Sequence, residues 1–279
     1  MKNFFLRCIT GLLYIAVVTA ALFTTMPIFL AVFGIIMLLA LNEFYKNLKI
    51  KGYSVDVVLS NALAVCIYAM PIMKYYNETL FPTMLSTLPL VIFFALAIFA
   101  VELLRDDEEP FHRIAFSFCG IVYVVLPFTL LSYYKIDNAM IDEGFSSSLM
   151  IFMLFLFTWS NDSFAYCWGM LFGKHPLCPK ISPKKTIEGF VGGLLSTVIL
   201  AVIIALNVKV NGSIAEFVGG AVLIVFCSTL GDMVESKFKR YIGVKDTGKM
   251  LPGHGGFLDR FDSVLFSIPA IYAYWNLFA

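Results

Sequence analysis

Between two long apolar runs lies Ser236–Asp262, SKFKRYIGVKDTGKMLPGHGGFLDRFD, a stretch dense in charge and glycine. Six cations (Lys237, Lys239, Arg240, Lys245, Lys249, Arg260) and three aspartates (Asp246, Asp259, Asp262) surround the turn Pro252-Gly253-His254-Gly255-Gly256. Carboxylates bind hard divalent cations, Lys and Arg neutralise phosphate, and bare glycine backbone can cradle an anion. Gathered at a membrane edge, these residue types predict a site that holds polyphosphate and a divalent metal while a lipid reacts. A plain connecting loop has no use for both signs of charge packed so closely.

The residues leading into this stretch extend the pattern. If helix continues through Ser228-Thr229-Leu230-Gly231-Asp232 to Arg240, then Ser228, Asp232, Ser236 and Lys239 share one face. Mg²⁺ is normally held by one or two carboxylates plus substrate phosphates. Asp232 with Asp259 fits that pattern, and Asp246 and Asp162 are further candidates. The plain alternative for Asp232 is a surface ion pair with Lys239, worth about 0–1 kcal/mol. Asp162 sits inside an apolar run, in Trp159-Ser160-Asn161-Asp162-Ser163. An aspartate at bilayer depth costs about 2.5–3.5 kcal/mol, so it is predicted to face a wet cavity or a partner. Ser160 and Asn161 suit helix–helix hydrogen bonding equally well. Tyr166, Gly169 and Gly173 follow Asp162 along one helix stripe, which either admits close backbone approach or lines a cavity.

The next polar segment reads Gly173-Lys174-His175, then Ser182-Pro183-Lys184-Lys185-Thr186-Ile187-Glu188-Gly189. Ser182-Pro183 marks a turn, and Thr186 is placed to cap the following helix. A helix N-terminus preceded by two lysines is an anion site or an ordinary positive loop, and spacing does not separate the two. Gly255 and Gly256 are candidates for a phosphate nest, and His254 for an acid or hydrogen-bond donor. No GxxxxGK[ST] or GxGxxG pattern occurs, which disfavours P-loop and Rossmann chemistry.

The elements that must position these groups are membrane helices. The chain is 60% apolar and 14% charged, where soluble domains run nearer half and a quarter. Apolar runs recur along its length, continuous and not alternating, so an all-α polytopic bundle is expected and a barrel is not. Nine spans are predicted, at 4–23, 27–41, 57–73, 84–104, 114–134, 149–171, 188–206, 214–234 and 263–278. Taking the N-terminus inside and the C-terminus outside puts 17 of the 20 Lys and Arg on the cytosolic side, leaving Lys74, Lys135 and Lys209 opposite. Residues 1–148 have nearly charge-free spans, whereas polar groups enter the helices of 149–279. That contrast predicts a scaffold half followed by a working half. The six cysteines form no CxxC pair, so neither a disulfide framework nor a zinc site is expected.

The run S-x-F-K-R-x4-K-D-x-G-x2-L-P-x-H-G-G-F-x-D-R-F-D resembles the signature of phosphatidate cytidylyltransferases, also called CDP-diacylglycerol synthases. Asp162-Ser163-Phe164-Ala165-Tyr166 and Ser182–Gly189 are similar to two further motifs of that family, with Ser163 where threonine is usual. The resemblance covers roughly residues 160–262. It implies that CTP and phosphatidate give CDP-diacylglycerol and pyrophosphate, with Mg²⁺ and a monovalent K⁺ sharing its site. It also implies an enzyme of the inner (plasma) membrane, facing the cytosol and dimeric, with metal ligands carried over to Asp232 and Asp259.

On that reading Asp162, Lys184, Lys185, Ser236, Lys239, Arg240, Lys245, Asp246, His254 and Arg260 act on the reacting phosphates. Tyr166, Ser182, Thr186, Gly255, Gly256 and Asp262 contact substrate. CTP, phosphatidate and the lipid bilayer are the expected partners, and nucleic acid is not. Two rivals remain open at this point. A CTP-dependent lipid-alcohol kinase would transfer the γ-phosphoryl group, and an ion-coupled transporter would use Asp162 and Asp232 near midplane.

Overall fold

The computed structural model describes residues 2–77, 84–105, 110–139, 145–208, 213–253 and 255–278. Among them, nine helical rods appear in chain order, one for each predicted span. They are α1 (Lys2–Phe23), α2 (Met26–Ile50), α3 (Val57–Asn77), α4 (Met84–Leu104), the continuous rod α5 (Pro110–Gly120), π-helix (Ile121–Val125) and α6 (Leu126–Ala139), then α7 (Phe145–Phe172), α8 (Ile187–Asn207), α9 (Ile214–Ile242) and α10 (Leu258–Phe278). Among the described residues seven of these are long and apolar enough to cross a membrane, and Ile9–Phe23 of α1 is a shorter apolar helix. The chain is thus a polytopic membrane bundle.

One feature departs from an all-helical reading. Two short strands, β1 (Pro176–Cys178) and β2 (Ser182–Thr186), pair antiparallel between α7 and α8. Ser182-Pro183, expected as a turn, instead opens a strand of this two-stranded ribbon. Proline is tolerated there because each strand has only one neighbour, so the missing N–H need not break a ladder.

The chain divides into two compact units. The first contains residues 1–148 and 242–260, the second 149–241 and 261–279. In the first unit α2 is the central strut. Phe29, Phe33, Leu41, Tyr45 and Leu48 on it are almost fully buried. Tyr45 donates to the Ser117 carbonyl at 2.8 Å, and its ring lies where a Cβ on Gly120 would stand. That close approach occurs where the rod opens into its π turn, a common site of functional or packing irregularity. Tyr68 of α3 crosses over Gly34 and donates to Leu30 O at 2.9 Å. Lys135 of α6 is buried, donates to Leu22 O, and lies 4.3 Å above the Phe29 ring, so its charge is met by a carbonyl and a π face.

In the second unit, small residues set the helix spacing. A Cβ on Gly192 would strike the Trp168 ring, and one on Gly189 would come to 2.7 Å from Ala165 O. α7 and α8 therefore approach backbone to backbone, as small residues permit in membrane helices. α9 and α10 meet in the same manner: a Cβ on Gly231 would stand 2.5 Å from Asp262 O. Further along that pair, Tyr274 donates to Glu216 O at 3.0 Å.

Candidate active site

The second unit gathers charge around Asp232. Two features place it there. α9 runs unbroken through Asp232 and Ser236 to Ile242, and Gly231 lets α10 pack closely enough to bring Asp262 alongside. Ser236, one turn on, donates to Asp232 Oδ1 at 3.1 Å. Lys185 of β2 places Nζ 2.6 Å from Asp232 Oδ2, with both side chains about 29% exposed. Asp262 accepts from the Ser263 N–H at 2.7 Å. Asp232 and Asp162 lie near enough for their negative charges to act on Asp262, and the positive charge of Lys239 opposes them. Lys239 itself pairs with Glu235, whose carboxylate is wholly buried. The plain alternative for Asp232, an ion pair with Lys239, is not the one formed: Asp232 pairs with Lys185. Four carboxylates, Asp162, Asp232, Glu235 and Asp262, and two lysines, Lys185 and Lys239, are therefore gathered from α7, β2, α9 and α10.

The ribbon that carries Lys185 is itself anchored. Thr186 Oγ1 accepts from the Gly189 N–H at 3.1 Å, which caps α8 as predicted. Glu188 accepts from the N–H groups of Lys174 and His175 at 3.1 and 3.2 Å, and meets His175 Nδ1 at 2.6 Å. Both ends of the hairpin are thus pinned to the first turn of α8. Gly169 and Gly173 face Thr186, with no room for a Cβ on Gly173. Of the two readings of that stripe, close backbone approach is the one realised. Tyr166, from the same stripe, is exposed. Lys184 and Arg240 are exposed, Ser182 is half-buried, and Asp162 lies exposed on α7 beside buried Asn161.

The first unit holds the loop that joins α9 to α10. Asp259 is buried, and its Oδ2 accepts two backbone N–H groups, from Thr247 and Gly256, each at 2.8 Å. Leu251 N–H bonds to Gly255 O at 3.0 Å, closing the turn between. Gly255 has φ +84°, and a Cβ there would stand 2.5 Å from Asp259 Oδ2, so glycine is needed for conformation and space alike. The expected nest is thus partly used within the loop, since the Gly256 N–H points at Asp259. Lys245 and Asp246 are exposed at its edge and Arg260 is half-buried. His254 lies outside the described residues.

Three acidic or polar groups escaped the sequence reading. Glu43 and Asn47 lie on α2 beyond residue 41, where the predicted span ends. Both are buried. Asn47 donates to Thr247 O at 2.7 Å, and Glu43 accepts from the Leu258 N–H at 3.0 Å. Glu235 is the third. The available signal was Glu43 and Asn47 at four-residue spacing on a helix prolonged by about two and a half turns.

Among the described residues no three His, Cys, Asp or Glu side chains close around one point in a ready-made metal cage. Mg²⁺ is commonly held by one or two carboxylates, with water and phosphate oxygens completing its shell. Asp232 and its neighbours offer the hard oxygen donors such an ion takes, with lysines beside them for the anions that would accompany it.

Residues 5–278 match the cytidylyltransferase family. The chain is 36% identical over 234 residues to the phosphatidate cytidylyltransferase of Staphylococcus haemolyticus, covering 84% of each. The same enzyme of Staphylococcus aureus is 35% identical over 238 residues, covering 85% of this chain and 86% of its own. That of Staphylococcus epidermidis is 36% identical over 234 residues, again 84% of each.

Proposed function

This chain belongs to the cytidylyltransferase family, and on that premise we propose that it converts CTP and phosphatidate to CDP-diacylglycerol and pyrophosphate at the cytosolic face of the plasma membrane. The observation that carries the reading is the Lys185–Asp232–Ser236 chain beside Asp262. It supplies cation sites and phosphate counter-charges on one face, which a transporter site at midplane would not need.

The reaction is a single displacement. A phosphate oxygen of phosphatidate attacks the α-phosphorus of CTP, a new P–O bond forms, and the bond to the β-phosphate breaks as pyrophosphate leaves. A phosphomonoester has its second pKa near about 6, so the nucleophile is already ionised at neutral pH and needs no general base. The obstacle is repulsion between two polyanions. Like unit charges about 4 Å apart repel by about 1 kcal/mol in water and about 4 kcal/mol near a protein surface. Several such pairs must be neutralised before the reacting atoms meet, so positioning and counter-charge carry the catalysis.

Lys185 is placed to exchange Asp232 for a substrate phosphate, and Lys239 holds positive charge near Asp262. Lys184, Arg240, Lys245 and Arg260 are assigned to the remaining phosphate oxygens. Asp232 and Asp259 would hold Mg²⁺ with K⁺ nearby, and Asp162, Asp246 and Asp262 would orient water, metal or basic groups. A bound Mg²⁺ would polarise the phosphoryl oxygens and neutralise the leaving pyrophosphate. Tyr166, Ser182, Thr186, Gly255 and Gly256 shape the substrate contacts. The N-terminus faces the cytosol, the diacyl tails stay in the inner leaflet, and the enzyme works as a homodimer.

The deciding experiment gives purified protein phosphatidate or diacylglycerol, with Mg²⁺ and CTP labelled at the α- or the γ-phosphorus. Label from the α position in lipid, with γ label released as pyrophosphate, is the expected result. Lipid carrying the γ label would instead establish a kinase.

A further inference from the structure

Glu43 lies in the first unit, on the part of α2 that continues past the apolar run, and only 6% of its surface is exposed. A buried carboxylate loses its hydration and persists only where other dipoles replace the water. Here they come from 215 residues away: Leu258 N–H, at the first position of α10, donates to Glu43 Oε2 at 3.0 Å. The first N–H groups of a helix have no partner within it and carry its positive dipole end, so a carboxylate suits that place. Two glycines make the room. A Cβ on Gly248 would stand 2.4 Å from Glu43 Oε1, and one on Gly256 2.2 Å from Oε2. Asn47, one turn on, ties the same loop by donating to Thr247 O.

The loop so held is the one that positions Asp259. Thr247 N–H and Gly256 N–H both donate to Asp259 Oδ2, and Gly256 is also the residue against which Glu43 packs. The Asp259 charge repels that of Glu43. Backbone N–H groups interposed from Gly256 and Leu258 let the two acids stand close. Glu43 Oε1 has no hydrogen-bond partner among the described residues. One oxygen accepts the helix N-terminus and the other fills the space beside Gly248.

We propose that Glu43 is a positioning residue for nucleotidyl transfer: it fixes the Asp259 loop by accepting the N–H that opens α10, while Gly248 and Gly256 stay bare to admit it. The role is that of an acceptor of the right shape, not of a metal ligand or proton donor. It rests on the reading above that Asp259 serves the reaction.

Three variants of the full-length protein test it: Glu43→Gln, Glu43→Ala and Gly256→Ala. Glutamine keeps an acceptor oxygen and the side-chain volume, so Glu43→Gln should retain turnover to within about threefold. Glu43→Ala removes both, and a lost hydrogen bond to a charged group corresponds to a loss of about tenfold or more. Hydrogen exchange read by mass spectrometry supplies the second measure. Peptides spanning 244–258 should exchange at least tenfold faster in Glu43→Ala, and at the parental rate in Glu43→Gln. Should Glu43→Ala fail to insert, Gly256→Ala displaces the same carboxylate, and adding Glu43→Gln to it should cost little more, because contacting residues are not additive. Equal loss of turnover in Glu43→Gln and Glu43→Ala would overturn the acceptor role. So would unchanged exchange in Glu43→Ala. Faster exchange with unaltered turnover would overturn positioning while leaving the reaction standing. Absence of CDP-lipid formation by the parent protein would remove the reaction and leave the exchange result to judge the brace alone.

Discussion

Lys185 and Asp232 are joined by a contact of 2.6 Å between a strand residue and a helix residue that lie 47 positions apart in sequence. The pair is half-exposed, so its contribution to stability is small, about 0–1 kcal/mol. On the proposed function the pair would store a cation beside the carboxylate that holds metal, and would release it to a substrate phosphate.

Lys185→Met should therefore leave folding intact and lower CTP-dependent turnover by about 10- to 100-fold, the cost of losing a charge-assisted contact. Its neighbour Lys184 is exposed on the same strand, so Lys184→Met should lose several-fold less. Steady-state rates of the two variants, with unfolding temperature as a control, check this. Equal losses would remove the distinction drawn between them.

Asp259→Asn separates charge from shape. An asparagine carbonyl oxygen has two lone pairs and can still accept from Thr247 and Gly256, so the loop keeps its form. Turnover should fall by about 100-fold or more if the charge serves metal or phosphate, a loss in the range seen when electrostatic groups are removed from active sites. Near-normal turnover would rule out a ligand role for this residue.

Where local pattern decided the structure, the sequence was readable. The spans followed from unbroken apolar runs, and the Thr186 cap from its place ahead of Glu188 and Gly189. Gly169 and Gly173 were recognisable as a stripe, yet only the position of Thr186 and Gly189 decided that it brings backbones together. Glu43 was hidden because an acid just past an apolar run reads as solvated. What buries it is a loop two hundred residues on, and hydropathy carries no such information. The pairing of Asp232 with Lys185 was hidden for a related reason. Helix spacing suggests i,i+3 and i,i+4 pairs, and it correctly allows Glu235–Lys239. It is silent about a lysine arriving from a ribbon that was itself read as a turn.

Gly231→Ala tests the α9–α10 crossing. The added Cβ would meet Asp262 O at 2.5 Å and must push backbone, not a flexible side-chain tip. Overpacking of this kind costs about 1–3 kcal/mol. It would also widen the gap between Asp232 and Asp262, so turnover should drop by more than the unfolding temperature alone explains. A variant with parental activity would show that the spacing of these two helices does not set the site.

Sidedness can be read by chemical labelling. Single cysteines placed at Lys184, Lys249 or Lys74, in a background with the native cysteines replaced, should divide by membrane side. The first two should react with a membrane-impermeant maleimide only from the cytosolic side, and the third only from the opposite side. Reaction of Lys74→Cys and Lys184→Cys from one side would overturn the N-in arrangement.

Metal dependence is the remaining test, and its outcome differs by residue. Chelation with EDTA should abolish CDP-lipid formation, and added Mg²⁺ should restore it. If Asp232 donates to the ion, Asp232→Asn should raise the Mg²⁺ concentration for half-maximal turnover by about tenfold or more, because an ion with one or two protein ligands loses much of its hold with either. Ser236→Ala removes only a hydrogen bond to Asp232 Oδ1, so the same titration should move by a few-fold at most. Lys185→Met should lower the maximal rate and leave the Mg²⁺ midpoint near the parental value, or shift it downward, since it removes a cation that competes for the carboxylate. A midpoint unchanged in Asp232→Asn would move the ion away from this carboxylate. Full activity in EDTA would leave the lysines alone to neutralise the pyrophosphate.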